Sequence, residues 1–332
     1  MVGLGCISGD FEAYRGNFHA HTSYSDGQDE PQDAFDYARN VAGLDIMVVT
    51  DHLEQLYLVP PFGRWGACES QADAANAPGT FLADCGYEYG SGMALPACIS
   101  TGHNNVLFPT TLFPAIQQDF HDFYATFSAC PQCIGQFNHP GDESCQHWNQ
   151  FEYDAVVDER MNLFEFNGDG PVWDMFFQAL DAGWHVAPMN NQDNHSANWG
   201  TANDHRSGVF LSALTRDALH QALVERRTFM STDRNATILS MAEGTCWMGS
   251  ILTGYPSVDL SVHVEDPDGG DGFASLELFG PAKVLLASSD CAGAPSCDLD
   301  HTIAVTQATY AVARAVQTDG EVLVAAPVWA AP

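Results

Sequence analysis

Between residues 15 and 229, short apolar runs alternate with longer segments whose apolar side chains recur every three or four positions. The runs at 16–21, 44–50, 81–87, 103–108, 134–138, 163–166, 185–189 and 209–211 read as strands. The periodic segments at 31–41, 114–128, 173–182 and 215–226 read as helices, the first opened by Pro31 and the last capped by Thr215. Such alternation predicts an α/β domain with parallel strands. Residues 53–79 carry Pro60, Pro61, Gly63, Gly66, Pro78 and Gly79 with little periodicity, and read as a long loop. Past Asp233 the pattern changes. Residues 258–264 alternate strictly, 267–272 form an Asp/Gly-rich turn, and 275–279, 283–287, 302–306, 310–315 and 321–324 are strand-like. An α/β domain at 1–235 and a small Ig-like C-terminal β-sandwich at 236–332 are therefore expected.

Polar residues interrupt this pattern at strand ends. His19 and His21 stand two apart on a predicted strand, so both side chains project from one face and could grip one ion. Packing as core histidines is the alternative for that segment alone. Asp26 follows in a turn. The strand at 44–50 then passes abruptly into Asp51 and His52, and the change recurs at Glu88, at His139 and at Asp193 with His195, while His103 opens its strand. The repetition favours metal ligation, because core histidines have no reason to gather at strand ends and acidic residues are seldom buried without a partner or metal.

Composition narrows the setting. The 332 residues are 45% hydrophobic, ample for a core, and no run approaches the ~18 apolar residues of a membrane-spanning helix. A formal charge of -32 repels a phosphate backbone, so nucleic acid is not an expected partner. Ten cysteines, most of them away from the His and carboxylate motifs, point to disulfides and to a secreted or periplasmic protein. Cys291 and Cys297 flank a turn and form the best-supported pair. No partners are assigned to Cys6, Cys68, Cys85, Cys98, Cys130, Cys133, Cys145 and Cys246. The Cys130-Pro-Gln-Cys133 spacing could hold zinc, although it lacks a second such pair. Residues 1–10 have neither the basic start nor the apolar core of an export signal, so that signal is expected upstream.

Taken in order, His19-x-His21 with Ser25-Asp26-Gly27, Thr50-Asp51-His52, Glu88, Gly102-His103, His139-Pro140 and Asp193-x-His195 resemble the polymerase-and-histidinol-phosphatase (PHP) superfamily of metal-dependent phosphoesterases. Phe164-Glu-Phe-Asn167, Trp199-Gly-Thr201, Arg206-Ser-Gly208 and Thr232-Asp-Arg-Asn235 resemble its carbaryl-hydrolase-like branch. The resemblance implies a distorted (β/α)7 barrel with two or three divalent ions, manganese, zinc or iron. It implies that His19, His21, Glu88 and Asp193 hold one ion, that Glu88 bridges to a second held by His103 and His139, and that Asp26, His52 and His195 hold the third. Asp51 counts among the candidate ligands, or stands behind a ligating imidazole. A metal-bound hydroxide would attack phosphorus or a carbonyl carbon.

The chain has no Gly-x-Ser-x-Gly elbow and no phosphate-binding Gly-rich loop with lysine, which weakens serine-hydrolase and kinase readings. Arg206 could neutralise a phosphoryl oxygen, His205 could protonate a leaving group and Asn167 could orient substrate, each with a plain structural role as the alternative. A phosphoesterase acting on small-molecule esters is the first expectation. A carboxyl- or carbamate-ester hydrolase is the second, and a non-catalytic surface-binding protein the third. Oligomeric state is not legible.

Overall fold

A computed structural model describes residues 5–58, 61–90, 102–115, 120–141, 148–168, 170–268 and 270–332. Pro60, Cys98, Cys145 and residues 116–119 of the predicted second helix lie outside them. As far as Ser231 the chain runs β1 (Glu12–Asn17), α1 (Pro31–Tyr37), β2 (Ile46–Val49), α2 (Leu53–Leu58), α3 (Arg64–Ala75), β3 (Leu82–Cys85), β4 (Tyr87–Tyr89), β5 (Asn104–Leu107), α4 (Phe120–Ser128), β6 (Ile134–Phe137), α5 (Trp148–Phe151), β7 (Met161–Phe166), α6 (Pro171–Ala182), β8 (Ala187–Asn190), β9 (Arg206–Leu211), α7 (Arg216–Val224) and β10 (Thr228–Ser231). The rest is all strand apart from one short 3-10 turn: β11 (Thr237–Ala242), β12 (Cys246–Trp247), β13 (Ile251–Thr253), β14 (Ser257–Glu265), β15 (Phe273–Gly280), β16 (Val284–Ala294), β17 (Ser296–Ala304), β18 (Thr309–Gln317), β19 (Val322–Ala325) and β20 (Val328–Ala331).

The mixed α/β class matches the sequence pattern, and helix starts follow their local chemistry. Pro31 opens α1 behind a reciprocal Glu30/Asp33 capping box, and Thr215 caps α7 by accepting from Ala218 N at 3.2 Å. The expected long loop at 53–79 is instead mostly helix, α2 and α3. Its signal was weak because α3 buries only Cys68, Ala72 and Ala75, small residues on one face that pack beside Phe35 and Val49. The Cys68–Cys85 disulfide then ties this helix to β3.

The strands that carry the candidate residues fall into two hydrogen-bonded sheets. One contains β1, β2 and β3 in parallel; the other runs β4-β5-β6-β7-β8, with β6, β7 and β8 parallel and β4, β5 and β6 antiparallel. Single bridges at Ala20/Asn194 and His52/Glu88 link them, so the described strands do not close as one continuous ladder. Gly86 alone separates β3 from β4, and a Cβ there would stand 2.5 Å from Val106 O. The chain can therefore switch sheets in one residue and deliver Glu88 to the seam.

The larger sheet does not stop at residue 235. β9 pairs with β10 and β10 pairs with β19, so strands from both ends of the chain share one ladder. The later strands make two layers: β12-β11-β14-β17 faces β15, β18 and β19 across a core that includes Val258, Leu260, Val262, Val264, Leu276, Leu278 and Leu323. Strict alternation in β14 puts those four β14 residues on the inner face.

Four disulfides lie among the described residues: Cys6–Cys246, Cys68–Cys85, Cys130–Cys133 and Cys291–Cys297. The last is the pairing read from the sequence. Cys130 and Cys133 bond to each other, which removes the zinc alternative, since a metal needs free thiolates.

Candidate metal centre

His19 and His21 lie just beyond the end of β1, not inside the strand as expected. There the extended chain leaves β1's ladder and binds the loop after β8, through His21 N to Asn194 O at 3.1 Å and Asp193 N to His19 O at 3.0 Å. The two-residue alternation survives, and both imidazoles are fully buried with their Nε2 atoms 3.3 Å apart. Gly27 is required below them: a Cβ there would stand 2.5 Å from the carbonyl carbon of His21. β2 delivers Asp51 and His52, β4 holds Glu88, His103 directly precedes β5, and His139 lies two residues after β6. His139 and Asp193 adopt left-handed backbone at φ +30° and +44°. Non-glycine residues there cost of order 1–3 kcal/mol and persist where surrounding structure dictates them.

Three sets of donor atoms result, the members of each lying within 4.8 Å of one another: His19, His21, Glu88 and Asp193; Glu88, His103 and His139; and His21, Asp26, His52 and His195. Glu88 joins the first two, one oxygen to each. Its Oε2 lies 3.4 Å from His19 Nε2 and 3.3 Å from His21 Nε2, while Oε1 lies 3.1 Å from His103 Nδ1 and 3.2 Å from His139 Nε2. His21 turns Nε2 to Asp193 Oδ1 at 3.0 Å, and its Nδ1 lies 3.9 Å from Asp26 and 3.3 Å from Ser25 Oγ. One imidazole nitrogen serves one ion, so this geometry allots His21 to the first set. His52 Nε2 and His195 Nε2 face Asp26 at 3.5 and 3.4 Å. Asp26 and His195 are the most exposed of the group, so the cluster opens to solvent on their side.

Glu88 Oε1 is hydrogen-bonded by His103 and His139, but where His19, His21 and Asp193 meet the donors converge without satisfying one another. Two Nε2 atoms at 3.3 Å cannot both donate, and Asp193 Oδ1 is buried with no hydrogen-bond donor despite three imidazoles within 3.8 Å. Divalent cations fit this donor set of imidazoles and carboxylates. Burial alone would lower the imidazoles, but Glu165, Asp193 and Glu88 hold His19 well above its usual value, and Asp193 and Glu88 push His21 up to about 9. Burial would raise Glu88, yet His19 and His103 hold it well below the carboxylate range. The pocket thus demands positive charge at the points where the donors meet.

Asp51 belongs to none of the three sets, which corrects its place among the ligands. It accepts from Thr22 N, Thr22 Oγ1 and Ser25 Oγ at 2.7, 2.6 and 2.5 Å. With both oxygens occupied it shapes the turn that carries Asp26 and sets Ser25 against His21. Arg206 is also corrected. It is buried, and its guanidinium donates to the carbonyls of Gly200, Asn203 and His205, so it fastens its own loop. His205 is half-buried, lowered by burial and by the charge of Arg206, with Nδ1 buried and without a partner. Asn167 is exposed just past the end of β7.

Glu165, which the sequence pattern does not single out as a site residue, organises the centre. Both of its oxygens lie 3.0 Å from His19 Nδ1, and it accepts from His139 N and Asn191 Nδ2 at 2.9 Å and from Gln136 Nε2 at 3.3 Å. It fixes the imidazole whose Nε2 faces the first set, and the backbone of a residue in the second. Asn138 Nδ2 donates to Glu88 Oε1 at 2.9 Å. The available signal was a charge inside a wholly buried strand, β7, and the Gln136-x-Asn138 alternation at β6.

No protein-family model and no curated protein matches the sequence. Among solved structures, the chain is similar to a two-domain protein containing a predicted PHP-like metal-dependent phosphoesterase from Bacteroides vulgatus. The TM-score is 0.53 at 18% identity, covering 93% of both chains. The chain shares the overall fold of that two-domain protein. A lesion-specific endonuclease from Pyrococcus furiosus aligns at TM-score 0.44 and 15% identity over 64% of this chain and 56% of that one. An endonuclease Q complex with a 27-mer duplex aligns at 0.41 and 13% over the same shares. The first alignment runs through nearly the whole length of both chains.

Proposed function

We propose that the chain is a metal-dependent hydrolase, a phosphoesterase of small-molecule esters, with divalent manganese, zinc or iron in the cluster. The observation that carries this reading is the convergence of nine donor side chains, Glu88 among them, with Asp193 Oδ1 buried and undonated. In this reading His19, His21, Glu88 and Asp193 hold one ion, Glu88, His103 and His139 a second, and Asp26, His52 and His195 a third. Bound ions lower the pKa of water towards neutrality and polarise an ester. The chain's own part is to fix the imidazoles through Glu165 and Asp51, to exclude water from the His19 side by burial, and to admit substrate from the Asp26–His195 side. The two linked sheets are read as the distorted seven-strand barrel, with residues 236–332 as an appended sandwich, and the carbaryl-hydrolase-like branch as the nearest subgroup. Four disulfides support an oxidising, secreted setting.

Two observations favour a second reading, a carboxyl- or carbamate-ester hydrolase. Arg206, expected to meet phosphate, is spent on backbone carbonyls, and the net charge of -32 disfavours anionic substrates. Elemental analysis followed by turnover of nitrophenyl phosphate, bis-nitrophenyl phosphate and nitrophenyl acetate with manganese, zinc or iron separates the two. Phosphate-ester turnover lost in Asp193→Ala supports the first. Acetate turnover alone supports the second, and no turnover with full metal loading rejects both.

A further inference from the structure

We propose that Cys130–Cys133 is an exchangeable disulfide, opened by low-molecular-weight thiols that enter a cavity beside Cys130, and that the pair cycles between disulfide and dithiol with the fold intact. The cavity holds about 320 Å³, at the small end of ligand pockets, and Thr110, Phe113, Thr126, Ala129 and Gln132 bound it besides Cys130. It lies away from the metal centre. His103 stands at the start of β5 and His139 just past the end of β6, whereas residues 110–114 follow β5 and residues 130–132 precede β6. These antiparallel strands of 4 residues each therefore separate the cavity from the histidines by roughly 13 Å.

The spacing makes the exchange local. The two cysteines stand 3 apart in sequence, against 6, 17 and 240 for the other disulfides among the described residues. The constraint a disulfide places on the chain grows with the loop it closes, so opening this bond releases the least chain. The turn is also held by bonds that do not need the sulfurs joined. Gln132 O accepts from His220 Nε2 at 2.9 Å, Pro131 O accepts from Arg160, Gln132 Nε2 donates to Thr110 Oγ1 at 3.1 Å, and Cys130 N donates to Phe127 O at 3.0 Å. An opened pair thus stays in place to close again.

The cavity sets the direction of attack. Cys130 borders it and Cys133 is fully buried, so an incoming thiolate meets the sulfur of Cys130. The Cys130–Cys133 bond breaks, and Cys133 leaves as a thiolate that takes a proton from water. A second external thiolate then attacks the external sulfur of the mixed disulfide, which frees Cys130. Two external thiols are oxidised to one disulfide, and the protein pair gains their two electrons and two protons.

The test incubates the full chain anaerobically with reduced glutathione, followed by alkylation with N-ethylmaleimide and peptide mass mapping. Cys130 and Cys133 are expected to be alkylated while Cys68–Cys85 and Cys291–Cys297 stay joined. The opened protein is expected to keep a cooperative melt, lowered by no more than about 5 °C, and to close again on adding oxidised glutathione. Cys133→Ser should take up one glutathione at Cys130 from oxidised glutathione, and Cys130→Ser none at Cys133. Ala129→Phe, an exposed position that narrows the cavity, should slow opening severalfold with the melt unchanged. The proposal is overturned if the pair stays joined, if it opens only with loss of the cooperative melt, if Cys133 is modified in Cys130→Ser, or if Ala129→Phe opens at the wild-type rate.

Discussion

At the scale of single residues, two carboxylates decide how the centre is built. Glu88 offers one oxygen to each of two donor sets, so Glu88→Gln is expected to remove more than one equivalent of metal; undiminished content by elemental analysis would contradict the bridge. Glu165 touches no common donor point but orients His19 and the backbone of His139. Glu165→Gln should therefore weaken metal binding by about 10–100-fold while leaving the fold intact. Calorimetric titration checks this, and an unchanged affinity would relegate Glu165 to packing. Metal must also compete with protons. With His21 raised to about 9, its folded apo form binds a proton more tightly than the unfolded chain, so the stability this contributes is present below about 6.5 and lost as pH rises through about 9. Metal uptake should run the opposite way, strengthening as pH rises towards 9 with protons released on binding. A pH-independent uptake would contradict that coupling. Candidates such as His52, Glu88, His139, Asp193 and His195 were legible because ligand-type side chains break the apolar pattern at strand ends, and His19 with His21 by their two-residue spacing. Asp51 shared that signal, and only its neighbours Thr22 and Ser25 reveal that both of its oxygens are already occupied.

At the scale of elements, the informative case is α3. Its inner face is Cys68, Ala72 and Ala75, too small to give an apolar stripe, and glycines and prolines flank it. Packing and the Cys68–Cys85 bond supply what propensity does not. Replacing both cysteines by serine is expected to lower stability by about 3 kcal/mol through the lost constraint on the unfolded chain. Urea unfolding measures this, and a change within error would mean that α3 stands without its tie. Strands with strict alternation, such as β14, were read correctly because each inner residue is large and apolar. The carboxylate of Glu165 was passed over for a related reason: within a wholly buried strand, both faces read alike, and periodicity does not say which one meets the site.

At the scale of the whole molecule, the boundary read at 235 follows a real change in strand pattern, but the ladder crosses it. β10 pairs with β19, Cys6 bonds Cys246, and Arg15 donates to Asn235 O and to Thr237 Oγ1. A chain ending at 235 would leave an edge of β10 unpaired, and is expected to lose cooperative thermal unfolding and to aggregate. A sharp melting transition for residues 1–235 would show that this part folds alone. The sequence by itself determined the α/β character, the all-strand C-terminal region, the Cys291–Cys297 pair and the chemical types gathered at strand ends, because these follow from local periodicity and side-chain chemistry. Only the tertiary structure decided that Glu88 faces two sets, that Glu165 stands behind His19, and that Arg206 is held by its own loop. Those facts depend on which distant segments touch, and contact between segments is fixed by packing and sheet register, which no local pattern encodes.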